Sequence, residues 1–516
     1  MLAAAVVAAG IHWGTFAAGG SDSYCYVHQA EGWATGRLQV VEPLALDAPW
    51  PDPPLTFAPA GHIPSPTVRG AAVPICPAGL SIAMAPFVYV GAAFGRPDAQ
   101  FAVVPLFGAL LVWSVYALGA RFSRGVGLAS ALLIACSPAF LFQLMQPMSD
   151  VPAAALWVLA TVLATSGWPR APLMAGLATS AAILMRPNLL PLALVLGWWF
   201  VRDSDSGDGA TQGVESGHHR TPSRTARVAV FAAAVAPGCI AVALIQQMFY
   251  GSPFRSGYGT LDGLFAFDRV APNAVRYFTW MTASQTPAWL LALGAPFVLR
   301  PRRLVALLIS LAVVNVLCYL PYAVFNDWWY LRFLLPAIAW VMVLMSGMFE
   351  AVVARLVHLA PRKGAPYTVV FAIVLSLVFL REARARSVFD LPRLEARYSR
   401  AGAYVADHLP PNALLLASWE SGSLRFYGHR TTLVWDVLDP AWLDRAIAYT
   451  RTRGLEPYLV FERWEEPIFR QRFAGSDIGK LDWPPAAEVA GQVRIYRPDD
   501  RARYLRGDAA PTEYAR

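Results

Sequence analysis

The sequence predicts a polytopic α-helical membrane protein of about eleven transmembrane helices, with a small soluble α/β domain at its C-terminal end. Three observations predict it. Of 516 residues, 56% are hydrophobic and only 15% charged, against about 25% charged in an ordinary soluble domain. Apolar runs approaching the roughly 20 residues of a bilayer-spanning helix recur up to residue 380. Beyond residue 381 the apolar runs shorten to strand length and alternate with helical spacing.

Taken in order, the candidate spans are 1–20, 98–119, 126–146, 151–167, 171–185, 188–201, 228–249, 287–299, 304–324, 331–349 and 366–380. The first lacks the basic start of a cleavable signal and is followed by more spans, so it is expected to stay as a helix. The missing basic start also predicts a natural first residue upstream of Met1. The apolar stretch 74–95 contains Pro74, Pro77 and Pro86, residues that break helices. It is expected to be re-entrant or interfacial, not a span.

Loop charge tests that choice. With the N-terminus inside, about one in four inner-loop positions is Lys or Arg, against about one in sixteen outer-loop positions, the bias of cytoplasmic loops. Arg381, Arg384 and Arg386 fall on the outer side, but they lead into a long segment, and long domains translocate largely regardless of charge. The resulting organisation is a membrane domain over 1–380, with a first periplasmic loop at 21–97, a cytoplasmic loop at 202–227 and a periplasmic loop at 250–286. Residues 381–516 follow as a periplasmic domain, and the chain is expected in a bacterial inner membrane. The net charge of +8 then belongs to Arg-rich loops. No basic, aromatic-interleaved soluble face argues for nucleic acid.

The inner loop 203–227 is Gly/Ser-rich; His218 and His219 have no third ligand nearby and read as solvated. In the C-terminal part, 413–418, 431–435, 458–462 and 492–496 read as strands, and 421–427, 441–450 and 465–473 as helices. Their alternation predicts parallel strands. Glu420, His429 and Asp436 read as turn and surface polars sooner than as a site. Cys136, Cys239 and Cys318 lie in apolar runs, where a small thiol is ordinary. Cys25 and Cys76 share the first loop and can pair if it faces an oxidising side; spacing does not report their distance.

The unusual chemistry gathers at 21–38, directly after the first apolar run. Asp22 is its first ionisable group, with Tyr24, Tyr26 and His28 close behind. An Ala/Gly-containing helix ends at Thr35-Gly36-Arg37, a Pro-rich stretch leads to Pro77-Ala78-Gly79-Leu80, and paired spans are split by 121–125. The third span ends in Ser137-Pro138, and Asp150 opens the fourth. This pattern, over roughly residues 1–350, resembles the GT-C superfamily of integral membrane glycosyltransferases. The likeness is to the bacterial branch with protein mannosyltransferases, the aminoarabinose lipid A transferase and lipopolysaccharide-core galacturonosyltransferases. The resemblance implies a sugar donor carried on a polyprenyl phosphate, an envelope glycan, lipid or protein as acceptor, and contact with membrane lipids. It implies a catalytic role for Asp22 and a matching role for Asp150. Many members place a second acid beside the first; here Asp22 is followed by Ser23 and the nearest acid is Glu31. No cofactor is therefore assigned, and a divalent metal is only a weak expectation.

The residues themselves single out the same groups. Moving a glycosyl unit from phosphate to a hydroxyl or amine needs a base at the acceptor and positive charge or hydrogen-bond donors at the leaving phosphate. Asp22 is the expected general base and Asp150 an orienting acid; the plainer readings are a helix-end solubiliser and an N-cap. Arg186 interrupts an apolar run, where a guanidinium is costly unless paired. Arg332 follows Trp328, Trp329 and Tyr330, so it is either a phosphate ligand or a membrane-belt anchor. Arg255 lies in a Gly/Ser-rich turn suited to phosphate. Tyr24 and His62 complete the expected substrate-binding set, and no metal ligands are assigned. The competing class is a transporter or flippase of lipid-linked sugars, which should show internal repeats and mid-membrane polar residues; neither is visible. A scaffold with a membrane anchor needs fewer spans than this chain carries.

Overall fold

The structure is a computed structural model that describes residues 1–202, 223–357, 365–508 and 510–515. His218 and His219 lie outside the described residues. Each candidate span contains helical structure, that at 287–299 being a 3₁₀ helix (Pro287–Gly294) and one further turn (Ala295–Val298), and α-helices also form at 22–35, 78–93 and 270–285, inside the expected loops. In order, the longer α-helices are α1 (Leu2–His12), α2 (Asp22–Thr35), α3 (Ala78–Ala93), α4 (Val103–Gly119), α5 (Arg124–Cys136), α6 (Pro138–Leu144), α7 (Asp150–Ala164), α8 (Ala171–Met185) and α9 (Pro191–Arg202). Then come α10 (Arg224–Tyr250), α11 (Val270–Gln285), α12 (Arg302–Tyr319), α13 (Leu335–Leu356) and α14 (Ala365–Ala385). Among the described residues four helices are long and apolar enough to cross a membrane, or five if the bent pair α5–α6 counts as one. Others are shorter than their apolar runs; α1 has 11 residues.

Local chemistry explains the breaks. Pro138 cannot donate into the helix before it, and Ser137 caps the new one by accepting from the Phe140 amide. The chain bends there by 59°. Pro86 behaves otherwise: it sits inside an unbroken 16-residue α3, so the helix break expected from it does not occur. Pro77 is instead the N-cap of α3, and Pro74 ends a strand. The loop 250–286 contains α11, whose Asn273 side chain donates to the carbonyls of Leu320 and Tyr322 and so pins the chain leaving α12.

The first loop adds a three-stranded antiparallel sheet in the order β1-β3-β2 (β1 Val40–Val41, β2 His62–Pro64, β3 Ala71–Pro74). Cys25 on α2 and Cys76 ahead of α3 are joined by a disulfide.

After α14 come α15 (Leu391–His408), α16 (Ser421–Gly428), α17 (Leu443–Thr452) and α18 (Glu465–Arg472). They cover a six-stranded sheet of β4 (Ala413–Leu416), β5 (Thr431–Leu433), β6 (Glu456–Glu462), β7 (Ala487–Val489), β8 (Val493–Tyr496) and β9 (Glu513–Ala515). Its order is β5-β4-β6-β8-β7-β9. The expectation of parallel strands is corrected: β4 pairs parallel with β5 and β6, but β8 runs antiparallel to both β6 and β7. The cause is a tight hairpin. Ala490 and Gly491 have φ of 51° and 65°, and the Gln492 amide donates to the Val489 carbonyl, a tight turn that reverses the chain between β7 and β8.

This unit sits directly on the first loop. Gly19 lies against the Tyr398 ring and Gly422 against the Tyr24 ring, closer than any side chain would allow. The Tyr427 hydroxyl accepts from the Ala18 amide at 2.8 Å, and Ser421 Oγ accepts from the Ala60 amide at 2.9 Å.

Candidate functional site: two arginine–carboxylate pairs on one wall

Asp22 opens α2 two residues after Gly20, whose φ of 55° turns the chain out of the apolar run. A carboxylate in the first turn also complements the positive end of the helix dipole. Asp150 opens α7 in the same way. The two helix starts are held side by side: the Tyr26 hydroxyl, one turn along α2, lies 2.8 Å from Ser149 Oγ, the residue before Asp150. Both carboxylates therefore lie at one end of the helical bundle.

Each carboxylate takes an arginine. Arg332 donates from Nη2 to Asp22 Oδ2 at 2.8 Å. Arg186 donates from Nη2 to Asp150 Oδ1 at 2.6 Å and from Nη1 to the Tyr319 hydroxyl at 3.0 Å. Arg186 points inward because Pro187 ends α8 and leaves Arg186 extended, with φ −147°. Arg332 lies on a 3₁₀ turn, Trp328–Leu334, that leads into α13. The two guanidiniums share one ring: their Cζ atoms lie 5.3 and 5.2 Å from the centroid of Phe333, within cation–π range. Tyr319 stacks on that ring at 4.8 Å. Asp22, Arg332, Phe333, Arg186 and Asp150 thus form one continuous wall.

The two acids differ in access. The Asp22 side chain is 34% exposed and that of Asp150 is 0% exposed. Three polar atoms of the wall, Asp150 Oδ2, Arg186 Nε and Arg332 Nε, are buried with no hydrogen-bond partner among the described residues. Such groups are costly unless a further partner engages them. Tyr258 lies near Asp22, Tyr26, Tyr322 and Arg186, and 40% of its surface is open. Gly257 allows this, because its Cα runs against the Ile75 backbone where a Cβ would lie 2.4 Å from Ile75 Cα.

Of the seven residues expected at a site, four meet here: Asp22, Asp150, Arg186 and Arg332. Arg255 is exposed on the loop after α10 and makes no ion pair among the described residues. Tyr24 and His62 lie elsewhere, on the opposite face of α2, where Tyr24 stacks on His28 and His62 Nε2 sits 3.1 Å from His28 Nδ1. Glu420, His429 and Asp436 do not assemble: Glu420 is fully buried, while His429 and Asp436 are exposed. Sequence reasoning passed over Phe333, Tyr319 and Tyr258. Their only signal is aromatic density at the ends of apolar runs, which membrane-belt residues share. Among the described residues no three His, Cys, Asp or Glu side chains are grouped to hold a metal; positive charge at this wall comes from the two arginines.

The fold is shared with membrane proteins of known structure. The chain is similar to ArnT from Cupriavidus metallidurans bound to undecaprenyl phosphate, with a TM-score of 0.58 and 13% identity over 99% of this chain and 98% of that one. The apo form of the same protein aligns with a TM-score of 0.55 at 13% identity and the same coverage. The Archaeoglobus fulgidus oligosaccharyltransferase tethered to an acceptor peptide aligns with a TM-score of 0.50 at 13% identity, over 93% of this chain and 70% of that one. No protein-family model matches the sequence, and no curated protein matches it.

Proposed function

We propose that the chain is an integral membrane glycosyltransferase that moves a sugar from a polyprenyl-phosphate carrier to an envelope glycan, lipid or protein on the periplasmic face. The observation that carries this reading is the wall itself, with one accessible carboxylate, one buried carboxylate and two arginines on a common ring. The fold likeness to proteins solved with undecaprenyl phosphate or an acceptor peptide supports it.

In this reading Asp22 is the base. It is the exposed acid of the two, and a base must reach the acceptor proton. Asp22 takes the proton from the acceptor hydroxyl or amine as that atom bonds to the anomeric carbon. The bond from that carbon to the phosphate oxygen breaks, and its electron pair leaves with the phosphate. Arg186 and Arg332 offer donors to the charge that grows there. A single displacement of this kind inverts the anomeric centre. Asp150 accepts no proton; it fixes Arg186. About eleven spans, an N-terminus inside and a periplasmic C-terminal domain follow from the loop charges, and a disulfide in the first loop fits an oxidising compartment.

The test is transfer from a labelled polyprenyl-phosphate sugar in proteoliposomes. Asp22→Asn should insert normally and lose transfer by about 10²–10⁴-fold, the usual worth of a general base. Retained transfer removes Asp22 from the mechanism. The transporter reading predicts movement of labelled lipid across the bilayer with no release of free polyprenyl phosphate.

A further inference from the structure

A cavity of about 680 Å³ lies on the far side of α2 from Asp22, within the roughly 300–1,000 Å³ range of small-molecule sites. Residues 24, 28 and 31 share one helical face and residues 22 and 26 the opposite one, as the 3.6-residue period requires. The cavity draws on three remote parts of the chain: Tyr24 and His28 of α2 with His62 of β2, Gln100 and Phe101 at the entry to α4, and Tyr427 of α16.

Its chemistry excludes an anionic ligand. Arg425 is the one guanidinium in the lining, and its Nε and Nη2 are engaged: Nε donates to Thr432 Oγ1 at 2.7 Å, and Nη2 to the carbonyls of Phe57 and Thr432, both at 2.8 Å. Nη1 faces Glu42 at 4.0 Å. His28 and His62 are uncharged: burial pushes His28 down to about 4 and His62 well below its usual value, and Arg425 opposes any added proton. Burial also raises Glu31 to about 7. The Asp98 carboxylate of the lining is paired with Arg96 at 3.3 Å, and what remains is neutral and directional. The imidazoles supply donors and acceptors, Tyr427 keeps its hydroxyl proton while accepting from Ala18, and Gln100, 3% exposed, has its Oε1 without a partner among the described residues. At the rim Phe16 packs on Phe101 with centroids 5.4 Å apart. Phe16 has φ 46°, a conformation rare for an aromatic residue and typical of ligand-holding segments.

Aromatic walls and uncharged polar groups with no spare cation are the recognition set for a sugar ring. We propose that this cavity binds a neutral, hydroxyl-rich sugar unit of the acceptor, about one helix diameter from Asp22. Binding there holds the acceptor by a part remote from the reacting atom, so that the contact energy serves orientation at the base. The word acceptor rests on the transferase reading; the sugar site does not.

The test uses the full chain in lipid nanodiscs. The probes are maltotriose and chitotriose free in solution, the same sugars as synthetic glycolipids in the disc, and a phosphorylated trisaccharide. Undecaprenyl phosphate binding is measured on every sample as a check on folding and on the opposite face of α2. Expected are binding of a neutral probe and at least tenfold weaker binding in both Gln100→Leu and His28→Phe, with undecaprenyl phosphate still bound. Tighter binding of the lipid-linked form assigns a glycolipid; equal binding assigns a free or chain-borne glycan. No binding of any neutral probe, equal binding by both variants, or preference for the phosphorylated sugar overturns the proposal. Sugar binding without undecaprenyl phosphate binding in the unmutated chain removes the transferase reading and leaves the sugar site standing.

Discussion

Asp22 and Asp150 each accept from an arginine, but one keeps a third of its side chain open and the other none. The buried pair should behave as a unit. Removing one partner of a buried ion pair costs about 3–5 kcal/mol, because the other charge is stranded. Arg186→Ala should therefore destabilise the chain by that amount in thermal denaturation and weaken polyprenyl-phosphate binding. The double change Asp150→Asn with Arg186→Gln should recover much of the stability and none of the binding. Arg186→Lys should fall between, since an ammonium keeps the charge and loses the forked contact with Asp150 and Tyr319.

Glu420, outside the membrane part, makes a different prediction. Burial raises its carboxyl to about 8, with Ser423 as its hydrogen-bond partner. Its folded-state pKa exceeds the unfolded value, so the folded chain binds the extra proton. Its contribution to stability is whole below the unfolded value of 4.5 and is lost as pH rises through 8. Glu420→Gln cannot ionise. Relative to the parent it should gain stability between pH 4.5 and 8, by up to a few times the roughly 1.4 kcal/mol that each pKa unit represents. Parallel melting curves across that range check the sign.

At the scale of elements, α2 is the piece the site is built on, and it is held from several sides. The disulfide from Cys25 to Cys76 closes a 51-residue separation. Chain-entropy arithmetic gives such a closure about 4 kcal/mol. Cys25→Ser should lower the melting temperature and also reduce transfer, because α2 carries Asp22 at one end and meets α7 through Tyr26 and Ser149. An equal melting temperature under reducing and oxidising conditions contradicts that role. The 3₁₀ turn Trp328–Leu334 is the matching element across the wall: it places Arg332 and Phe333 consecutively, so one short turn supplies both a cation and the ring it shares with Arg186.

Across the whole molecule, the C-terminal sheet and the helical bundle meet through the first loop, with Tyr398 on Gly19 and Tyr24 against Gly422. That docking surrounds α2, leaving the carboxylate wall on one face and the sugar-sized cavity on the other. Much of the site was legible in the sequence because ionisable groups at the ends of apolar runs are expensive and therefore few. That cost singles out Arg186; the family resemblance adds Asp22 and Asp150, and Arg332 reads equally as a membrane-belt anchor. Their pairing was not legible. Asp22 and Arg332 are 310 residues apart, and no local pattern relates them. Tyr24 and His62 drew attention for the same stretch of unusual chemistry, but helical periodicity turns Tyr24 half a turn away from Asp22. Four of the six strand positions in the C-terminal part, β4, β5, β6 and β8, followed from alternation and turn residues; β7 and β9, three residues each, did not. The reversal at β8 did not, because β7 has only three residues and Ala490 is an uncommon choice for a left-handed turn position.

The central claim is that one wall carries both the base and the phosphate ligands. The most direct measurement is an electron cryomicroscopy map of the full chain with undecaprenyl phosphate. The account predicts the phosphate within hydrogen-bond reach of Arg186 or Arg332, beside an Asp22 carboxylate still open to solvent. A phosphate resting away from both arginines, with the two ion pairs undisturbed, contradicts it.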